Sequence, residues 1–158
     1  MVDGTPARQE PRPTTDGRFM ESGSCSLPAA RAAGSFTPMI EPSRMVTIHP
    51  YFRAKPGKLA EAKAKLPEFI AKTSQEAGNL YYHFTGHDDL IFCREAYDGA
   101  EGLLKHVENV GAVLAEFLTL VEVIRVEVHG AAAELDKLKR PLAALKPEWF
   151  TFECGVRR

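Results

Sequence analysis

Two β-prone runs, Asn79 to His87 and Leu90 to Tyr97, are joined by Asp88-Asp89 alone. A polar link of two residues makes an antiparallel hairpin the default and fixes the pairing of its strands. Asp98 and Glu101 then have capping-box spacing, so the next helix is predicted to start at Gly99. Its stripe of Leu103, Val107, Val110, Leu114 and Phe117 repeats at helical spacing to about Thr119. Strand, turn, strand and helix in such immediate succession leave few ways to build the rest of the sheet.

The flanking segments complete the pattern. Met45 to Arg53 alternates as a strand, with Val46, Ile48 and Phe52 on one face and Thr47, His49, Tyr51 and Arg53 on the other. Pro50 removes one ladder donor, which predicts an edge position or a bulge. After the turn Lys55-Pro56-Gly57, Lys58 to Ala77 reads as a helix with Leu59, Ala62, Leu66, Phe69 and Ile70 inward. A kink is expected at Pro67, and Gly78 is expected to end the helix as a left-handed cap. Val121 to His129 reads as a strand with Ile124, Val126 and Val128 on its apolar face. Val121, Val123, Arg125, Glu127 and His129 fall on the other. The order is βαββαβ, the split arrangement of an α+β ferredoxin-like fold with an antiparallel sheet.

Beyond Gly130, Leu135, Leu138, Leu142 and Leu145 are spaced for burial on a helix that Pro141 bends or splits. The tail Glu148 to Cys154 is β-prone, and a short strand pairing with a free edge fits it, in the same chain or on a second subunit. Residues 131–158 thus form a helix-and-strand extension to a domain at 45–130. Aromatic and histidine residues line both strand faces, so the face without helices also needs a cover. A homodimer, sheet against sheet, is the expected one.

Residues 1–43 have a different composition. They hold Pro6, Pro11, Pro13, Pro28, Pro38 and Pro42, no lysine and few large apolar side chains. Such a stretch cannot offset its ordering entropy by burial and is predicted to be disordered. It lacks the apolar run of a secretory signal, and its five acidic residues speak against an organelle transit peptide. An upstream start codon, with Met45 opening the domain, is the alternative. A net charge of −1 gives no electrostatic footprint for nucleic acid, and no apolar run approaches a membrane span. Three widely spaced cysteines with no CxxC pair point to thiols in a reducing compartment, hence the cytoplasm.

Residues 45–130 resemble the antibiotic-biosynthesis-monooxygenase-like family of dimeric α+β barrels. Four features carry the resemblance: Lys55-Pro56-Gly57 after the first strand; Glu76-Ala77-Gly78 just before Asn79-Leu80-Tyr81-Tyr82; Arg94-Glu95-Ala96-Tyr97 ending the third strand; and His106 on the following helix. The resemblance implies cofactor-free oxygenation of a small aromatic or quinol. The same family also includes haem-degrading enzymes, isomerases and members with no known activity, so a fold of this kind constrains function poorly. Thr47, His49 and Tyr97 depart from the haem-degrading pattern, which wants Asn on the first strand and Trp on the third.

Within that frame, His106 lies beside the apolar stripe and is the candidate base for a phenolic proton, or alternatively a histidine held by Glu95. Tyr97 is the candidate orienter of substrate, and Arg125 the stabiliser of a developing anion. Tyr82, Phe84, Glu95, His49 and His83 are candidate substrate contacts. His83 and His87 are about 13 Å apart on an extended strand, so no metal site is expected. No Gly-rich phosphate loop occurs, and no cofactor is expected. Convergence of His106, Tyr97 and Arg125 on one cavity favours an enzyme. Separation favours a ligand-binding or structural barrel without turnover, and an isomerase on the same fold is a third possibility.

Overall fold

A computed structural model describes residues 44–155. The disordered segment expected at 1–43 lies outside them. The elements are β1 (Met45–Ala54), α1 (Leu59–Thr73), β2 (Asn79–His87), β3 (Leu90–Asp98), α2 (Gly99–Phe117), β4 (Val121–Gly130), α3 (Ala132–Lys139), a 3-10 turn (Ala143–Leu145) and β5 (Glu148–Thr151). The sheet order is β2-β3-β1-β4-β5. Its first four strands are antiparallel neighbours in the ferredoxin-like arrangement. The terminal strand β5 pairs parallel to β4 within the same chain, which adds one parallel edge to the antiparallel four. The five-stranded sheet is open, not closed into a barrel. Among the described residues no helix is long and apolar enough to cross a membrane.

The alternation expected for β1 is present, with Val46, Ile48, Phe52 and Ala54 buried on the helix-covered face. In β4 the register slips between Tyr51 and Phe52: Tyr51 pairs with Arg125, but Phe52 pairs with Val123. Ile124 is the extra residue. A bulge of this kind reverses which side chains face inward beyond it. Val121 and Val123 therefore share the helix face with Val126 and Val128, and Ile124 is turned out, 42% exposed. This corrects the two-faced reading of the strand, which assumed unbroken alternation.

Three local expectations also change. α1 ends at Thr73, not Ala77, runs as one helix through Pro67, and leaves Ile70 exposed. Gly78 is not a left-handed cap, since the positive-φ glycines are Gly57 and Gly99. Instead Gly78 packs against Gly102, where an added Cβ would come within 3.2 Å of the Gly102 Cα. That close approach joins the start of β2 to the first turn of α2. The Asp98–Glu101 capping box does not form, because Asp98 makes no side-chain cap bond. The Ala100 N–H is taken by Glu134 of α3 at 2.8 Å, so the cap comes from a helix distant in sequence. Gly99, at φ +76°, leaves room for that carboxylate, which a Cβ would meet at 3.2 Å.

Two apolar clusters lie beneath the helices. One gathers Val46, Val128, Leu103, Leu135 and Leu138. The other gathers Phe52, Phe69, Ile91, Val113 and Phe117. α2 crosses both, and a cavity remains between them.

Candidate functional site: a carboxyl–imidazole–carboxylate chain beside an apolar cavity

The cavity has a volume of about 280 Å³, and its wall draws on both clusters: Ile48, Phe52, Phe84, Leu103 and Val126 among others. Pro141, Leu142, Ala144 and Leu145 contribute from the segment after α3, which places the C-terminal extension over this space. A carboxyl and an imidazole stand in the apolar wall, Glu95 of β3 and His106 of α2. Both are nearly inaccessible, at 4% exposure each.

Glu95 is inward because its strand alternates: Ile91, Cys93, Glu95 and Tyr97 share the buried face. Removing a carboxylate from water is costly, so the group responds by holding its proton. Burial pushes the Glu95 carboxyl up to about 8, against the opposing effect of a hydrogen bond from Tyr97. The Tyr97 hydroxyl donates a short hydrogen bond to Glu95 Oε2. Burial pushes the pKa values of Tyr97, Tyr82 and Cys93 up as well, so all three are neutral neighbours.

His106 has Nε2 at 3.2 Å from Glu95 Oε2 and Nδ1 at 3.0 Å from Glu76 Oε2. The imidazole thus sits between two carboxyl groups. Its ring is held by Tyr97 and Tyr82, with centroids at 4.9 and 5.2 Å. Burial lowers the basicity of His106, and Glu76 partly offsets that effect. The neutral ring with a proton on Nδ1 satisfies both contacts: it donates to Glu76 and accepts from the Glu95 carboxyl. Asn109 Nδ2 donates to Glu76 Oε1 at 2.6 Å and fixes the outer carboxylate.

His106, Tyr97 and Glu95 are therefore together, and Tyr82 and Phe84 reach the same cavity. Tyr97 stands behind Glu95 and is fully buried. Arg125 is elsewhere, on the opposite sheet face, where it donates to Glu148 at 2.9 and 3.1 Å and pairs with Glu127, so His106, Tyr97 and Arg125 do not converge on one cavity. His49 also lies on that face, its ring 5.2 Å from that of His129, and His83 stacks on Tyr81. Among the described residues no group of three potential ligands can hold a metal ion.

Sequence reading missed Glu76 and Asn109 as members of the site. Glu76 precedes β2 in a segment expected to be helix, so its direction was not legible. Asn109 carried a signal. It is three residues after His106, which places both on neighbouring parts of one helix face. His106 itself stands within the buried row Leu103, His106, Val110, Val113 and Phe117, not at its margin.

No protein-family model matches the chain, and no curated protein matches it. Solved structures do. A conserved protein from Methanosarcina mazei Go1 shares the fold at 13% identity and a TM-score of 0.53, over 56% of this chain and 94% of that one. A Chloroflexus aurantiacus protein, provisionally named an antibiotic biosynthesis monooxygenase, overlaps at 22% identity and a TM-score of 0.46. That overlap covers 53% of this chain and 89% of the other. Far nearer is MupZ from Pseudomonas fluorescens, with 42% identity, a TM-score of 0.71, and coverage of 73% of this chain and 95% of MupZ. Identity at that level over nearly all of MupZ means that this chain belongs to the same family as MupZ of Pseudomonas fluorescens.

Proposed function

We propose that the protein is an acid–base enzyme in which the Glu95 carboxyl exchanges a proton with a small, mainly apolar substrate held in the 280 Å³ cavity. The observation behind this reading is a carboxyl pushed up to about 8, set in an apolar wall with an imidazole nitrogen 3.2 Å away. Neighbouring carboxyl and imidazole groups tuned toward the working pH are what proton transfer at neutral pH needs. Both nitrogens of His106 are engaged, so Glu95 touches the substrate and His106 sets its charge. Tyr97 holds Glu95, while Tyr82 and Phe84 present aromatic surface to the substrate.

The sequence resemblance supports oxygenation of a quinol or hydroxyaromatic without a bound cofactor as the reaction class. Glu95, once ionised, takes the phenolic proton, and the electron-rich ring meets oxygen. One observation favours isomerisation instead: at neutral pH Glu95 is mainly protonated, and so is poised to donate. Oxygen uptake against a panel of quinols and anthrols, with Glu95→Gln as control, separates the readings. Uptake lost in the variant supports oxygenation. Substrate conversion without uptake, again lost in the variant, supports isomerisation. Conversion that survives Glu95→Gln overturns the proposal.

The second half of the proposal is a homodimer through the open sheet face. His49 Nδ1 and His129 Nε2 are buried there without a hydrogen-bond partner among the described residues, and Tyr51 and Phe92 pack at 4.5 Å with half-buried rings. A second copy supplies the cover such groups want. Arg125, His49 and His83 then act in assembly. Light scattering checks this: a dimer lost in Ile124→Glu is expected, and a stable wild-type monomer contradicts it. The buried Cys93 thiol beside the site supports work in a reducing compartment, the cytoplasm.

A further inference from the structure

Resting on that reading of Glu95, we infer that Glu95, His106 and Glu76 form a proton path through the wall between the cavity and the surface groove on its far side. Glu95 and His106 stand in the cavity lining and continue away from it, from the carboxyl to the imidazole and on to Glu76. On the far side of His106 lies a broad, open groove between α1 and α2. It is lined by Glu76 and Asn109 together with Lys72, Lys105 and Arg44. Exposure rises along the chain, from 5% for the Glu95 and His106 side chains to 12% for Glu76. Both imidazole contacts, at 3.2 and 3.0 Å, are short enough for proton transfer.

The path keeps its charges balanced. When Glu95 ionises, its carboxyl passes its proton to His106 Nε2. The Nδ1 proton moves to Glu76 Oε2, and Glu76 releases it to water in the groove. The ring ends neutral, with its proton on Nε2, donating to an ionised Glu95. Uptake from solvent is the same sequence reversed, and it returns the proton to Nδ1. The tautomer of His106 therefore follows the state of Glu95. Other groups facing this pair do not compete. Tyr97, Cys93 and Tyr82 are held neutral by burial, and Asn109 only donates to Glu76.

A pH jump on the full-length protein without substrate tests the path, from about pH 7 to about pH 9, across the Glu95 titration. The carboxyl stretch is followed by rapid-mixing infrared spectroscopy. Wild type should relax in one fast phase, and ¹⁵N spectra should show the His106 proton on Nδ1 before the jump and on Nε2 after it. Glu76→Gln keeps the shape and accepts a hydrogen bond but takes up no proton, so relaxation should slow by about tenfold or more. Glu76→Asp, with its carboxylate drawn back, should be intermediate. Glu101→Gln, another carboxylate of the groove, should relax as wild type. Unchanged relaxation in Glu76→Gln overturns the path, and so does faster relaxation, which signals a loosened wall. Because no substrate is present, this result stands apart from turnover: loss of the path leaves the role of Glu95 open to its own test.

Discussion

Histidines lie on both sides of the sheet, His106 from α2 on one and His49 and His129 from the strands on the other, and the two sides use them differently. On the helix-covered face, His106 has both nitrogens paired with carboxyl groups and its ring held by two tyrosines. On the open face, His49 reaches Thr47 at 3.0 Å with one nitrogen and leaves the other without a partner among the described residues. His129 stacks on Phe150 at 4.5 Å, and its Nε2 is 3.5 Å from Glu127, too long for a good bond. A satisfied imidazole between two acids is complete within one chain and suited to moving a proton. Stacked, half-satisfied imidazoles on an aromatic face suit an interface. The side of the sheet on which the ring lies, not residue type, separates the two roles.

The sharpest break between the faces is expected at Glu95. Glu95→Gln should reduce turnover of any confirmed substrate by about 10²–10⁴-fold, whereas Arg125→Ala should change it by no more than about twofold. Equal losses in the two variants would erase the distinction.

The next effect is on stability. The folded carboxyl of Glu95 is raised from 4.5 to about 8, so the folded state binds more protons than the unfolded chain between those values. Wild-type stability should therefore fall as pH rises through that window, at up to about 1.4 kcal/mol per pH unit from this group. His106 acts in the opposite sense at lower pH. Its folded value lies below 6.5, so stability from this group is lost as pH falls below that value. Denaturant melts of Glu95→Gln should lose the alkaline decline, and an identical slope would contradict the buried acid.

Packing provides a comparison of similar size. Leu103→Ala, in a fully buried position beside the cavity, should cost about 2–5 kcal/mol in a denaturant melt and enlarge the cavity. Ile124→Ala, at an exposed bulge, should cost no more than about 0.5 kcal/mol in the isolated chain. The smallest effect is on the pH profile. Tyr97→Phe removes the bond that lowers the Glu95 value, so the alkaline limb of the rate profile should move upward, by about one pH unit or less. A downward move would mean that Tyr97 does not stabilise the ionised form.

Much of the fold was legible because the sequence changes period at clear punctuation. Asp88-Asp89 forced the hairpin, and Lys55-Pro56-Gly57 the first turn. The alternation of β1 placed Val46, Ile48 and Phe52 correctly on the buried face. The failures came where tertiary contacts overrode local rules. A capping box read from Asp98 and Glu101 gave way to Glu134, a residue more than thirty positions on. Alternation in β4 failed at a bulge that follows from pairing with β1, and Pro50 offered only a hint of it. Sequence placed Glu95 and Tyr97 on one face and His106 toward the sheet, which brings three members of the site together. Arg125 was assigned to the same chemistry by residue type alone, although alternation already set it opposite Val126 and Val128, on the face away from the cavity. Glu76 was invisible as a partner because its position depends on where α1 stops, at Thr73.

The measurement that tests the account most directly is an infrared pH titration of the full-length protein against Glu95→Gln. The account predicts a protonated carboxyl band at neutral pH that is missing from the variant and titrates near 8. A Glu95 that is already ionised at about pH 5, close to an ordinary glutamate, would contradict the neutral acid on which the proposed chemistry rests.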